Sequence, residues 1–178
     1  MVVGNYRGGV ADLSSDLCGT GTVNLAPLMS SKSGLWQTPE CVLERVRRVG
    51  PIHYDPCTTA DNPVGADTYN TEETDGLTFP WRQSLGNIYC NPPYGRGMGA
   101  WVDNCIAART TDRYVIALLP ARTDTRWFPW DADALCFWKG RLTFRGAKAG
   151  APFPSVVAYW GAERSRFIKA FEDVGAIR

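Results

Sequence analysis

Histidine is nearly absent from this sequence of 178 residues, which contains only His53. The six cysteines are scattered singly and form no Cys-x-x-Cys pair. Zinc sites need clustered His and Cys ligands, so we expect no bound metal. The single histidine also argues against a Ser–His–Asp or Cys–His hydrolase. The cysteines are expected to be free, mostly buried thiols in a reducing cytoplasm.

Long apolar runs and a large net charge are also missing. No stretch approaches the roughly 18 apolar residues that a membrane-spanning helix needs, and residues 1–10 lack the basic and apolar segments of a secretion signal. We therefore expect a cytoplasmic protein without a membrane partner. The net charge is only +1. Lys and Arg outnumber Asp and Glu in residues 121–178, however, which fits phosphate contacts and equally fits a solvated face.

Apolar and aromatic residues are plentiful enough to build a core. Hydrophobic residues make up 44% of the chain, with seven each of Trp, Tyr and Phe, and the length suits one domain. Residues 1–34 are rich in Gly, Ser, Thr and Asn and show no sustained periodicity. We interpret them as an irregular arm and residues 35–178 as a single compact domain.

Strand-like and helix-like segments alternate in that domain. Thr38 and Pro39 predict a helix start, with Thr38 as N-cap and Pro39 at the first helical position, and Gly50 predicts its end. Further helices are predicted over residues 99–109, 124–130 and 167–171, and strands over residues 51–55, 67–69, 87–90, 114–119, 134–138 and 155–160. The alternation predicts an α/β fold, and the fully apolar run 114–119 is typical of a buried parallel strand.

The segment Asn91-Pro92-Pro93-Tyr94 directly follows the predicted strand 87–90. Its two prolines lack an N–H and hold φ near about −65°, so the backbone turns stiffly. The Asn91 side-chain oxygen and the Pro92 carbonyl are then placed to accept both hydrogens of a planar amino group, while Tyr94 covers the attached ring. This arrangement suits an exocyclic amine that attacks a methyl donor. A rigid loop without chemistry is the alternative.

Three loops with conspicuous residues follow strands of the predicted sheet. Ligands of open α/β sheets bind beyond the carboxyl ends of the strands. Such ends carry Asp55-Pro56-Cys57, then residues 91–94, and after Leu119 a third segment, Pro120-Ala121-Arg122-Thr123-Asp124-Thr125-Arg126-Trp127-Phe128. The three loops together predict one site more strongly than any single loop does.

Taken in chain order, these segments resemble the phage-type DNA N6-adenine methyltransferases. The resemblance also includes Trp36-Gln37-Thr38-Pro39, Asp75-Gly76-Leu77, Lys139-Gly140-Arg141-Leu142-Thr143-Phe144 and Ala151-Pro152-Phe153-Pro154-Ser155, and it covers residues 36 to about 160. It implies a class I S-adenosylmethionine (SAM) methyltransferase fold, with a Rossmann-like, mostly parallel sheet flanked by helices. It also implies N6 of adenine in double-stranded DNA as the acceptor, a flipped target base, and a bacterial host cytoplasm with a phage or prophage gene.

The resemblance assigns roles to individual residues. The catalytic pocket is Asn91, Pro92, Pro93 and Tyr94. The donor site comprises Trp36, Gln37, Thr38, Pro39, Asp55, Pro56, Cys57, Asp75, Gly76 and Leu77. Asp55 is expected to pair with the donor's ammonium group, and Asp75 to accept a hydrogen bond from the donor's adenine. DNA contacts are expected from Arg122, Asp124, Arg126, Trp127, Arg141 and Arg145. The segment after Asp55 carries no glycine, although this fold usually has Gly-x-Gly there.

Several alternatives stay open on the residues alone. Cytosine N4, RNA adenine and a protein glutamine amide present the same planar amine as DNA adenine. A non-catalytic DNA-binding module, or a plain structural α/β domain, would also use this fold. Asp55 has an alternative role as a turn or helix cap and Asp75 as part of a plain turn, and Trp127 as a core residue.

Overall fold

The computed structural model describes residues 36–178 of the chain. Its helices are α1 (Glu40–Val49), α2 (Met98–Ala108) and α3 (Arg164–Phe171). Its strands are β1 (Tyr54–Asp55), β2 (Thr68–Tyr69), β3 (Ile88–Cys90), β4 (Val115–Pro120), β5 (Ala134–Trp138), β6 (Ser155–Trp160) and β7 (Gly175–Ile177). The predicted arm and the boundary at residue 35 lie outside the described residues, so both stay predictions.

One sheet collects the seven described strands in the order β2-β1-β3-β4-β6-β5-β7. Strands β2, β1, β3 and β4 are mutually parallel. Strand β6 is antiparallel to both β4 and β5, and β7 is antiparallel to β5. The α/β class is therefore confirmed, with a mixed sheet whose parallel half matches the prediction. Because β5 runs in the direction of β4, both strands end at one edge, which we call the carboxyl edge.

Helices cover both faces of the sheet. Helices α1 and α3 pack on the face that carries Tyr89, Ile116 and Leu118, and α2 packs on the face that carries Ala117 and Leu119. Strand β4 is buried along its whole length, as its uninterrupted apolar sequence predicted. The result is three layers with a core on each side of the sheet.

The start of α1 differs from the prediction by one position. Pro39, with φ −65° and ψ 146°, is the N-cap, and no side chain makes a capping hydrogen bond. Thr38 is therefore not the N-cap. Its hydroxyl lies 2.8 Å from the Tyr89 hydroxyl instead, because the segment before Pro39 is extended and turns Thr38 into the core.

Two other predicted elements are corrected. Residues 124–130 form no helix but a series of turns, in which the Thr125 hydroxyl donates to the Arg122 carbonyl at 2.8 Å. Pro129 favours an extended residue before it, which opposes helix at that point. Only Tyr54 and Asp55 of the predicted strand 51–55 pair in the sheet. Sequence reasoning also missed β7 and a short 3₁₀ helix at Trp81–Gln83.

The structure tests the predictions made for the cysteines and for the single histidine. Cys57, Cys90, Cys105 and Cys136 are free thiols, whereas Cys41 is disulfide-bonded, so the free-thiol prediction is wrong for that residue. His53 Nδ1 accepts a hydrogen bond of 2.9 Å from the Asn87 amide. Residues 36–178 contain no cluster of three or more metal-binding side chains. None of the helices described is both long and apolar enough to cross a bilayer.

Candidate active site

A crevice opens at the carboxyl edge between β1 and β3. The chain passes from β1 to β2 on one side and from β3 to β4 on the other, so the loops after β1 and β3 diverge. This reversal of strand order is where open α/β sheets bind ligands. Residues 36–39, which lead into α1, lie against the same crevice.

The Asn91 side chain is fixed at the bottom of this crevice. Its Nδ2 donates to the Trp36 carbonyl and to Thr38 Oγ1 at 3.1 Å. A carbonyl oxygen only accepts hydrogen bonds, so the amide orientation follows from the chemistry. Asn91 Oδ1 is buried and has no hydrogen-bond partner among residues 36–178. A buried acceptor without a donor costs free energy, and this oxygen is available for a donor group on a ligand.

Tyr94 lies in an aromatic cluster beside Asn91, formed by Trp36, Tyr94, Phe144 and Phe153. The Tyr94 ring meets Phe144 and Phe153 edge-on, at centroid distances of 6.0 and 5.4 Å, and Trp36 contacts the same two rings. The Tyr94 hydroxyl donates to the Leu118 carbonyl of β4 at 3.2 Å. This bond and the two edge contacts fix the plane of the tyrosine ring.

Asp55 is a buried carboxylate at the end of β1, with only 2% of its surface exposed. One of its oxygens accepts a hydrogen bond from the Cys57 amide at 3.0 Å. None of the ion pairs within the described part of the chain involves this residue. Desolvation therefore dominates and raises the pKa of Asp55 from 3.8 to about 7. A cation bound in the crevice beside Asp55 would favour the ionised carboxylate and lower its pKa.

Two adjoining pockets share Cys57 and Thr58. The first is lined by Trp36, Gln37, Thr38, Asp55, Thr59, Pro63, Val64 and Asn91 in addition to the shared pair. The second is lined by Pro56, Thr71, Glu72, Asp75, Gly76, Leu77, Pro93 and Trp101 in addition to that pair. Nine of the ten residues predicted for the donor site thus line one or the other of these two pockets, which we together call the cleft. Pro39, the tenth, is buried at the start of α1.

The loop after β2 packs directly against the loop after β1. A Cβ atom on Gly76 would lie 1.8 Å from the Pro56 carbonyl oxygen, so only glycine allows this approach. Asp75 adopts a left-handed φ of 40°, and its carboxylate accepts a hydrogen bond from the Leu77 amide at 3.1 Å. The loop is a turn, as one interpretation held, and it also forms a wall of the second pocket.

Charge is unevenly distributed along the carboxyl edge. Residues 70–80, which follow β2, carry Glu72, Glu73 and Asp75 and no Lys or Arg. The loops after β4 and β5, residues 121–130 and 139–154, carry one carboxylate and six basic residues: Asp124, and Arg122, Arg126, Lys139, Arg141, Arg145 and Lys148. Asp55 and Asn91 lie between these acidic and basic ends.

A family model described as "DNA N-6-adenine-methyltransferase (Dam)" matches residues 26–158. The chain belongs to this family. The match includes the crevice, both pockets and the basic loops, and it ends within β6. The comparison with curated proteins gave no match. Membership in the DNA N-6-adenine-methyltransferase family implies N6 methylation of adenine in DNA as the general activity, and it confirms the family that the sequence resembles.

The structure places the predicted DNA-contacting residues in three kinds of surroundings. Arg122, Asp124 and Arg126 are exposed at the carboxyl edge, as is Arg145, whose amide donates to the Gln37 carbonyl at 2.9 Å. Arg141 is half-buried, and its Nη1 has no partner among the residues described. Trp127 instead packs partly into the core on the α2 side, which favours its alternative role.

Sequence reasoning missed two residues of the aromatic cluster and one partner of Thr38. Phe144 and Phe153 lie in segments that extended the resemblance, yet neither received a role. Tyr89 was read only as an apolar residue of strand β3. The sequence did hold a signal for Tyr89, which lies in an apolar strand two residues before Asn91. A tyrosine hydroxyl buried in such a strand needs a hydrogen-bond partner.

Proposed function

We propose that this methyltransferase uses SAM to methylate N6 of a flipped adenine in double-stranded DNA. The unpartnered Oδ1 of Asn91 carries the proposal. Its amide nitrogen is fully engaged, so the hydrogen-bonding group left free on this pocket-lining side chain is an acceptor. An amino group that loses electron density during methylation needs acceptors around it, and not donors.

The cleft fits SAM by its chemistry. Asp55 would hold the cationic ammonium group, since it is a buried carboxylate without an ion pair in the described part of the chain. The second pocket, with its Leu77 and Trp101 side chains and the Asp75 carboxylate, suits an adenine ring with an amino group at its rim. When bound, SAM supplies an electrophilic methyl group on a sulfonium centre.

The topology supports a class I methyltransferase fold. Strand order reverses between β1 and β3, and one reversed strand, β6, lies between β4 and β5. Helices cover both faces of the sheet, as in doubly wound nucleotide-binding folds. The loop after β1 departs from this fold in lacking Gly-x-Gly, and Gly76 lets the loop after β2 pack against its Pro56 backbone.

The chain's own residues position the acceptor. Asn91 Oδ1 and the Pro92 carbonyl accept the two N6 hydrogens and draw the nitrogen toward a tetrahedral shape. Tyr94 supplies an aromatic face for the extruded base, whose unstacking costs a few kcal/mol. These fixed groups would bring the N6 nitrogen and the methyl donor together, so that direct transfer needs no covalent enzyme intermediate. By resemblance alone, the setting is the cytoplasm of a bacterial host with a phage or prophage gene.

The decisive test identifies the methylated nucleoside. Purified protein is incubated with unmethylated duplex DNA and tritiated SAM, and the DNA is digested to nucleosides. We expect the label in N6-methyldeoxyadenosine. Label in N4-methyldeoxycytidine would keep the mechanism and change the base. SAM binding without labelled DNA would redirect the search to RNA or protein acceptors, and loss of both binding and label would favour a non-catalytic DNA-binding module.

Arg141 gives a prediction about the DNA surface. The Arg141→Gln variant should bind duplex DNA about tenfold more weakly, and the slope of log K against log salt should become smaller by about 0.9, the value for one lost phosphate contact. The measurement is a fluorescence-anisotropy titration at several salt concentrations. Arg109→Gln is the matched control, because Arg109 directly follows α2 at the end away from the carboxyl edge, where it forms an ion pair with Asp133. Equal slopes in both variants would contradict a role for Arg141 in DNA binding.

A further inference from the structure

We propose that Thr38 and Tyr89 are positioning residues that hold the Asn91 amide with its Oδ1 toward the acceptor amine. The inference rests on the proposed function, because it names the groups that orient the acceptor of that reaction. It concerns residues that do not touch the base. Neither hydroxyl caps a helix. Their hydrogen bonds link Tyr89 to Thr38 and Thr38 to Asn91.

The first step is the saturation of the Asn91 amide. Its two N–H bonds point to the Trp36 carbonyl and to Thr38 Oγ1. If the amide turned over, Oδ1 would face the Trp36 carbonyl, and two acceptors would meet without a hydrogen. The two partners therefore select a single orientation of the amide. Thr38 is the one of the two whose contribution a side-chain change can remove.

The second step is the fixation of the Thr38 hydroxyl. Thr38 Oγ1 and the Tyr89 hydroxyl lie 2.8 Å apart, and the two residues are 5% and 0% exposed. Tyr89 belongs to β3 and pairs with Ile116 of β4, so its hydroxyl projects from a rigid strand. Burial raises the pKa of Tyr89 well above its usual value, which keeps the hydroxyl neutral and able to donate.

The third step is that Thr38 does not cap α1, so its hydroxyl is free to bind Asn91 and Tyr89. The hydroxyl oxygen of a threonine at a helix start usually accepts a hydrogen bond from one of the first backbone amides of the helix. Here Pro39 takes the N-cap position, and the Gln37 carbonyl accepts the Arg145 amide at 2.9 Å. The backbone on both sides of Thr38 is thereby held, and its hydroxyl is left to the Tyr89–Thr38–Asn91 chain of hydrogen bonds.

The experiment compares Thr38→Val, Thr38→Ser and Tyr89→Phe in single-turnover methyl transfer, with the donor dissociation constant and the melting temperature measured for each. We expect Thr38→Val to slow transfer about 10- to 100-fold, since small misplacements at a reacting centre have costs of this order. Because Thr38 also lines the first pocket, donor affinity is compared separately, and the fall in the transfer rate should clearly exceed any fall in affinity. Thr38→Ser keeps the hydroxyl and should recover most of the lost rate, and Tyr89→Phe should give a smaller loss than Thr38→Val.

The double variant Thr38→Val/Tyr89→Phe separates positioning from stability. Thr38→Val alone leaves the buried Tyr89 hydroxyl unpaired and lowers the melting temperature, whereas the double variant removes both hydroxyls and should regain much of it. We expect the double variant to stay slow. Recovery of the rate together with stability would overturn the inference, as would a Thr38→Val rate equal to wild type.

Failure of the proposed function would look different. A wild-type protein that labels no adenine in DNA would remove the reaction itself. A wild type that labels adenine, with an Asn91→Ala variant as fast as wild type, would keep the reaction and remove Asn91, and with it the positioning role, from the mechanism. A wild type that labels adenine and depends on Asn91, but tolerates Thr38→Val, would remove only the positioning role.

Discussion

Replacement of Asn91 by alanine is expected to lower the rate of methyl transfer about 10²- to 10³-fold, the range measured when one preorganised polar group is removed from an active site. The side chain's amide is bound to the Trp36 carbonyl and Thr38, and its Oδ1 is buried without a partner among residues 36–178. Alanine removes that acceptor at the point where the amino nitrogen becomes positively charged. Donor affinity should change far less, because Asp55 and the second pocket are untouched.

The rate is measured in single turnover with saturating SAM and duplex DNA, so that product release does not mask the chemical step. Asn104→Ala, in α2, is the matched control and should behave like wild type. A rate for Asn91→Ala within threefold of wild type would remove Asn91 from the mechanism. Equal losses of rate and of donor affinity would instead indicate a collapsed cleft.

Replacement of Asp55 by asparagine is expected to have two opposite effects. Donor affinity should fall about 10- to 100-fold, which corresponds to the loss of one charge-assisted hydrogen bond. The ligand-free protein should nevertheless become more stable at pH 8, by about 2–4 kcal/mol. The larger value corresponds to the full difference between a pKa of 3.8 and one of about 7. Asparagine keeps an oxygen for the Cys57 amide and removes the desolvated charge.

The sign of the pH dependence follows from this raised pKa. Between about pH 4 and pH 7 the native ligand-free protein holds the Asp55 proton that the unfolded chain has already lost. Stability from this group is therefore full below about pH 4, falls as the pH rises from about 4 to about 7, and is constant above that. Donor binding shows the opposite trend and weakens as the pH falls below about 7, since a protonated carboxyl no longer attracts an ammonium group.

Two titrations check these effects. Urea unfolding of wild type and Asp55→Asn at pH 5 and pH 8 should show a stability difference that is larger at pH 8. Calorimetry with SAM at the same two pH values should show a pH-dependent affinity for wild type and little dependence for the variant. A variant that is less stable than wild type at pH 8 would mean that Asp55 has a structural role, and unchanged affinity would exclude it from the donor site.

The fold was largely predictable because the sequence pattern is strongest where burial is complete. The run from Val115 to Pro120 is apolar on both faces and proved to be a central strand. The sequence could not show that β6 inserts antiparallel between β4 and β5, because strand order depends on contacts distant in sequence. The helix predicted over residues 124–130 is wrong, because Pro129 and the polar turn around Thr125 oppose a helix there.

For the candidate site, the sequence predicted which loops lie together at the carboxyl edge but not the contacts between their side chains. Asp55, residues 75–77 and Asn91 were identified because each stands at or near a strand end or in a distinctive motif. The hydrogen bonds of Thr38 were not predicted, because Thr before Pro indicates a helix start locally and the Tyr89 hydroxyl that contacts it is 51 residues away in sequence. The same holds for Phe144 and Phe153, which reach Tyr94 only through tertiary packing.

The Trp36 carbonyl has a consequence for how such a site can be mapped by mutagenesis. Half of the hydrogen bonding that orients Asn91 comes from a backbone oxygen, which every amino acid provides. A scan that replaces side chains one at a time is therefore blind to it and would report Trp36 only as a packing residue. An amide-to-ester replacement between positions 36 and 37 would weaken that oxygen as an acceptor and leave the indole ring in place. The chain can accordingly vary its sequence at position 36 without losing this hydrogen bond.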